Sequence, residues 1–172
     1  YFQKAIQGDR AVSDPIENRS NPGTMIISYA VPLKWQGDII GILFMVADGN
    51  CLSEITDQIT FGREGKAFMI NKEGVSIANY DQEKVIKGDN IFENAKQDTS
   101  LQSMADTFKE MVAGSVGYGN YEYNGQTKYV GYAPVNGTDW VLAVSSPEDD
   151  VLGGLDNLSI SIAVITVILL LM

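Results

Sequence analysis

One supersecondary pattern occurs twice in this chain. Ser28-Tyr29-Ala30-Val31-Pro32-Leu33, a short polar turn and Gly41-Ile42-Leu43-Phe44-Met45-Val46 make the first copy. Val130-Gly131-Tyr132-Ala133-Pro134-Val135, a polar turn and Trp140-Val141-Leu142-Ala143-Val144 make the second. In each, a strand ending in Pro reverses through a Gly-containing turn into a second apolar strand, followed by an acidic residue and a helix start. Repetition on this scale marks two copies of one structural unit. The chain is therefore constrained to a tandem of small sheet-based modules.

The intervening sequence fills out those modules. Tyr1–Gln7 reads as the end of a helix stopped by Gly8, and Ser13–Gly23, rich in Asp, Asn, Ser and Pro, as a loop. Met25–Leu33 is β-rich and Gln36-Gly37 is a turn. Asp38–Ala47 lacks alternation, which predicts a central strand covered on both faces. Leu52, Ile55, Thr56 and Ile59 have helical spacing, so Asn50–Thr60 is predicted as a linker helix. Ala67–Ile70, the turn Asn71–Gly74 and Val75–Ala78 predict a hairpin, with a polar loop over Asn79–Asn90. Leu101, Met104, Ala105, Phe108, Met111 and Val112 form the apolar face of an amphipathic helix ending at Gly114. Three strands follow, Gly117–Tyr123, Thr127–Val135 and Asp139–Ser145, and Asn124-Gly125 is a strong hairpin signal. Pro147-Glu148-Asp149-Asp150 suits the first turn of a helix. The sum is an α+β chain, a small antiparallel sheet with helices on one face, close to the PAS-like sensor shape.

Composition narrows the chemistry. The chain has 172 residues, a formal net charge of −10 and no histidine. An acidic surface repels nucleic acid, so nucleic acid is not an expected partner. Without histidine the commonest general base and metal ligand is missing. Cys51 is the single cysteine, which excludes an intrachain disulfide and a cysteine-rich metal site. Gly117-Tyr118-Gly119 has Glu122 where a dinucleotide fingerprint needs its third Gly, and Gly62–Lys66 lacks phosphate-loop spacing. Asp81, Glu83 and Asp89 do not follow EF-hand order. No catalytic residue, metal site or cofactor is expected, and the chain reads as a non-enzyme. The tyrosines at 118, 121, 123, 129 and 132 read mostly as sheet packing.

Ile160–Met172 is free of charge over its thirteen residues. About twenty are needed to cross a bilayer. Because the run is apolar on every side, it reads as a truncated transmembrane helix rather than a surface helix. The chain opens mid-pattern at Tyr1-Phe2-Gln3 and reads as a fragment.

These residues resemble a double Cache domain, the extracytoplasmic sensor of bacterial methyl-accepting chemotaxis proteins and of some histidine kinases and cyclases. The resemblance rests on Tyr1-Phe2-Gln3-Lys4-Ala5 with Gly8, Ser13-Asp14-Pro15, Ala30-Val31-Pro32, Gly65–Gly74 and Gly137-Thr138-Asp139-Trp140. It implies the C-terminal half of a membrane-distal Cache module at 1–49, a linker helix at 50–61, a membrane-proximal module at 62–146, and a juxtamembrane helix with a truncated membrane segment at 147–172.

In the family the distal module is the usual ligand pocket, and the resemblance places ligand contacts at Tyr1, Phe2 and Asp48. A carboxylate accepts charge-assisted bonds from an ammonium group, and aromatic faces attract the same cation. Asp48 also suits a plain helix N-cap, and both roles stay open. The implied partners are a small molecule (amino acid, amine, organic acid or purine), the membrane and a second copy in a homodimer. The implied location is the cell membrane, with this segment mainly extracytoplasmic. The proximal module is expected to transmit rather than bind, with Gly153-Gly154 either loosening the outgoing helix or serving as a close-contact point in a dimer. Three functions fit: the sensor of a chemoreceptor, the same sensor on a histidine kinase or diguanylate cyclase, and an envelope structural or adhesion module that binds no small ligand.

Overall fold

A computed structural model describes residues 1–153. The first half is built on one long hairpin. Helix α1 (Phe2–Ile6) leads through β1 (Ala11–Val12) and β2 (Ile16–Glu17) to β3 (Met25–Trp35) and β4 (Asp38–Asp48). The joining residues Gln36 and Gly37 have φ of 50° and 96°, as a two-residue turn matched to strand twist requires. β4 runs along one edge of β3, while β1 and β2 pair with the other. The loop expected over 13–23 thus contributes part of this second edge, in a strand too short to carry a period-2 signal.

The second half begins with α2 (Cys51–Asp57) and continues through β5 (Thr60–Phe61), β6 (Gly65–Asn71) and β7 (Ser76–Ala78). Then come α3 (Gln82–Ile86), α4 (Ile91–Gln97), a 3-10 turn (Thr99–Leu101) and α5 (Gln102–Val112), before the meander β8 (Gly117–Tyr123), β9 (Gln126–Pro134) and β10 (Trp140–Pro147). The antiparallel sheet has the order β5-β6-β10-β9-β8, with β7 beside β6. The β8–β9 reversal is made by Asn124 and Gly125, with φ of 53° and 73°.

The repeat in the sequence is a repeat in space. The β1 partners of β3 end at Ala30, and β4 still faces Pro32 through Ile42. Likewise the β8 partners of β9 end at Tyr132, and β10 still faces Pro134 through Val141. Each Pro therefore sits two residues past the point where its strand loses its second neighbour. A residue without a backbone N–H is tolerated there.

Three buried faces meet in two cores. One face of the second sheet (Phe68, Ile70, Tyr121, Val130, Tyr132, Val141, Ala143) packs on Ala105, Phe108 and Met111 of α5. Phe108 stacks on Phe68 at 5.5 Å and meets the Tyr121 ring edge-on at 5.9 Å. The opposite face carries a smaller core of Ile27, Leu52, Met69, Ile77, Ala78 and Trp140. Helices therefore lie on both faces of the sheet, α2 opposite α5, and not on one face as the pattern predicted. This second core joins β3 of the first half to α2 and to the second sheet.

Several boundaries differ from expectation. The linker helix stops at Asp57, and Thr60-Phe61 already pairs with Gly65-Lys66 as strand. The polar stretch 79–90 contains α3, capped by Asp81 accepting from the Glu83 N–H at 3.2 Å. Pro147 closes β10, and helix begins at 148. Asp38–Asp48 is not covered on both faces: Ile40 is 66%, Leu43 58%, Met45 57% and Val46 61% exposed. The strand pairs along one edge only, and apart from Phe44, which Tyr1 and Phe2 meet, its apolar side chains are left largely open among the described residues. No helix among the described residues is long and apolar enough to cross a membrane. The apolar run Ile160–Met172, and Gly154 of the glycine pair, lie outside them.

Candidate functional site

The three sequence-derived ligand residues come to one face of β4. Residues directly opposite in an antiparallel pair share a face, and alternate residues of a strand do too. Phe44 faces Ala30 and Asp48 faces Ile26, so Phe44, Val46 and Asp48 project from the same side. Tyr1 meets the Phe44 ring edge-on at 6.2 Å, and Phe2 stacks on it at 5.9 Å. Asp48 lies four residues further along the strand, about 13 Å from this aromatic cluster at the usual rise per residue. The face is open: Tyr1, Phe2 and Phe44 are each nearly half exposed. Phe44 is the neighbour that sequence reasoning missed, although its even spacing of four residues before Asp48 on the same strand was the available signal.

Asp48 is not the cap of α2. Asn50 holds that position and makes no side-chain cap bond. The Asp48 carboxylate instead accepts from the Asn50 N–H at 2.9 Å, closing a local turn. One oxygen is thus used by the backbone, and the side chain stays at the surface with a second oxygen to offer. Burial raises the pKa of the neighbouring Cys51 thiol, and the negative charges of Asp48 and Glu54 add to the shift.

Asp14 ties the two halves together. Its carboxylate accepts from Trp140 Nε1 at 2.6 Å and from Asn71 Nδ2 at 2.7 Å. Lys4 of α1 reaches Asp139 at 3.2 Å across the same junction. α1 and the segment between β1 and β2 are therefore tied to the second sheet by polar contacts, and β3 by the apolar core.

A second carboxylate fixes the exit from that sheet. Asp150 accepts from the N–H groups of Glu64 and Arg63 at 2.9 and 2.8 Å, and from Ser146 Oγ at 3.1 Å. The Glu64 N–H, followed by the Arg63 N–H and the two side chains, pulls its pKa down to about 2 against the opposing effect of desolvation. Gly62 has φ of 63° and lies so close that any Cβ there would strike this carboxylate. The helix starting at 148 is thereby latched to the β5–β6 turn.

The tyrosines divide by position. Tyr121 is buried, its hydroxyl 2.8 Å from Ser145 Oγ, and desolvation pushes its pKa up to about 12. Tyr132 is buried as well, whereas Tyr118 is 87% exposed. The acidic loop residues serve local structure, with Glu83 paired to Lys87 and Asp89 accepting from Asn94 Nδ2. Among the described residues no group of three or more Cys, Asp or Glu side chains converges to hold a metal ion.

The Cache domain model (dCache_1) matches residues 1–155. The chain belongs to the Cache domain family. Among curated relatives, the methyl-accepting chemotaxis protein PctB of Pseudomonas aeruginosa is 24% identical over 158 residues, covering 86% of this chain and 23% of PctB. Solved structures share this fold, two of them as follows. The extracellular domain of mmHK1S-Z3, described as a histidine kinase, superposes with a TM-score of 0.69 at 19% identity, over 92% of this chain and 56% of that one. The ligand-binding domain of the P. aeruginosa PAO1 amino acid chemoreceptor PctB, in complex with L-Arg, superposes with a TM-score of 0.66 at 19% identity, over 94% and 59%. The chain thus spans under a quarter of its curated relative and somewhat more than half of each solved Cache domain.

Proposed function

We propose that this chain is part of the extracytoplasmic sensing domain of a transmembrane chemoreceptor, which passes ligand binding to a cytoplasmic signalling domain in chemotaxis. The observation that carries the reading is the placement of Tyr1, Phe2 and Asp48 on one open face of the distal sheet. A carboxylate at one end and stacked aromatic rings at the other suit a small molecule bearing an ammonium group, an amino acid or an amine. The likeness to PctB, whose solved domain holds L-Arg, supports the same ligand class. Residues 1–49 act as the ligand-contacting part of the distal module and 62–146 as the proximal module. The helix from 148 carries the signal toward a membrane segment within 147–172, in a homodimer at the cell membrane.

Transmission follows from the geometry of the exit. Ser146 and Pro147 are the last residues of β10, and Asp150 clamps the next turn to residues 63 and 64. A rigid joint this short passes a small shift of the sheet into the outgoing helix. A second reading, the same sensor on a histidine kinase, is favoured by the fold likeness to the mmHK1S-Z3 domain.

A thermal-shift panel on the full-length protein tests the binding claim, using the common L-amino acids, simple amines, organic acids and purines. A ligand at 100 times its Kd adds about 2.7 kcal/mol of stability, so a saturable rise in Tm with an amino acid or amine is expected. No rise with any member contradicts the sensor reading and favours an envelope structural role.

A further inference from the structure

We propose that the proximal module holds a binding site of its own, for a small organic carboxylate, in the cleft between its sheet and helices α3 and α5. The cleft has two lobes of about 320 and 260 Å³ that share Phe68, Asn79, Lys84, Met104 and Tyr123 as common walls. Lobes of this size sit near or below the small end of pockets for drug-sized ligands, about 300–1,000 Å³, and suit a small metabolite.

Two independent observations give the cleft its chemistry. The inner lobe is lined by Ser76, only 7% exposed, whose Oγ has no hydrogen-bond partner. Buried hydroxyls are almost always paired, and an unpaired one is costly. The outer lobe is lined by Lys66, Lys84 and Lys128. The ammonium groups of Lys84 and Lys128 lie 5.4 and 5.3 Å from the centroid of the Tyr123 ring. Acidic residues outnumber basic ones 22 to 12 in this chain. Lys4, Arg63, Lys72, Lys87, Lys96 and Lys109 each have a carboxylate partner. Among the described residues none of the three cleft lysines has one; Arg10, Arg19 and Lys34 have none either, but they do not line this cleft. Two such ammonium groups at one ring, with Lys66 on the wall of the same lobe, in a chain with surplus carboxylates, are arranged for an anion that comes from outside.

The cleft's own acids do not fill that role. Asp98 accepts from the Ser100 N–H at 2.9 Å, and Asp89 from Asn94 Nδ2 at 2.6 Å. Glu64 stands exposed beside the outer lobe. A carboxylate entering the outer lobe accepts charge-assisted bonds from the lysines, and a polar atom reaching the inner lobe pairs with Ser76 Oγ. The proximal module would then bind as well as transmit, a role the sequence did not indicate because Lys128 lies far along the chain from Ser76 and Lys84.

Calorimetric titration of the full-length protein with acetate, lactate, succinate and glutarate tests the proposal, with succinamide as the uncharged control. At least one carboxylate should bind saturably and succinamide should not. Lys84→Ala/Lys128→Ala should weaken that binding at least tenfold. Ser76→Ala should also weaken it while leaving the ligand-free Tm equal or higher, since it removes an unpaired hydroxyl. Asp48→Ala should leave it unchanged, which separates this site from the distal face. Absence of saturable binding by all four carboxylates overturns the proposal, and so does binding indifferent to both cleft variants.

Discussion

At the scale of single residues, the carboxylate of Asp150 shows how one side chain sets a joint. Its pKa is about 2, below the usual carboxylate range, because the Glu64 and Arg63 N–H groups favour the charged form. A group whose folded pKa is depressed contributes stability above its unfolded pKa and loses it as pH falls through the folded value. The latch should therefore be fully formed above about pH 4 and lost toward pH 2. Calorimetric melting over that range should show a steeper acid limb in the wild type than in Asp150→Asn, which should already melt lower at pH 7. Superimposable pH profiles would remove the latch from the account. Residue roles were legible only in part. The family resemblance supplied Tyr1, Phe2 and Asp48 as candidates only, whereas the backbone partners of Asp150 lie 86 and 87 positions away, a distance over which sequence carries no pairing signal.

At the scale of elements, the long strands and the helices α1, α2 and α5 were legible, and the two-residue strand β2 and the helices α3 and α4 were not. The meander was marked by β-rich runs around Asn124-Gly125, and α5 by apolar residues over three turns. α3 and α4 have five and seven residues, mostly polar, so neither shows an apolar period that stands out from the polar sequence around it. The apolar run of β4 was misread because composition reports what a strand wants covered, not what is present to cover it. The start of α4 rests on two local devices. Asn90 Oδ1 accepts from the Phe92 and Glu93 N–H groups at 2.9 and 3.3 Å, and Phe92 packs over Gly74. A Cβ at Gly74 would lie 2.6 Å from that ring, at a residue with φ of 78°. Gly74→Ala should cost about 1–3 kcal/mol through backbone strain and overpacking, read as a lower urea midpoint with an unchanged m-value. Wild-type stability would show that α4 yields freely.

At the scale of the whole molecule, the two halves of the chain share a core and a polar junction. Ile27, Leu52, Met69 and Trp140 form a shared core, and Asp14 crosses the same junction to Trp140 and Asn71. Removing this carboxylate leaves two donors unmet, and a charge-assisted bond contributes about 1.5–3 kcal/mol. Asp14→Ala should lower the Tm and broaden or split a single calorimetric transition, with a shift in Trp140 fluorescence. A single transition at the wild-type Tm would mean that the modules are coupled by the apolar core alone.

The central claim is that the open distal face, with Asp48 as its anionic anchor, receives the ligand that the receptor senses. The most direct measurement is the affinity of the full-length protein for the amino acid or amine that stabilises it best, compared with that of Asp48→Ala by calorimetric titration. Loss of a charge-assisted bond predicts a Kd raised about 10- to 150-fold, with circular dichroism unchanged. An Asp48→Ala protein that folds normally and binds with the wild-type Kd would contradict the account and leave Asp48 as a local turn former.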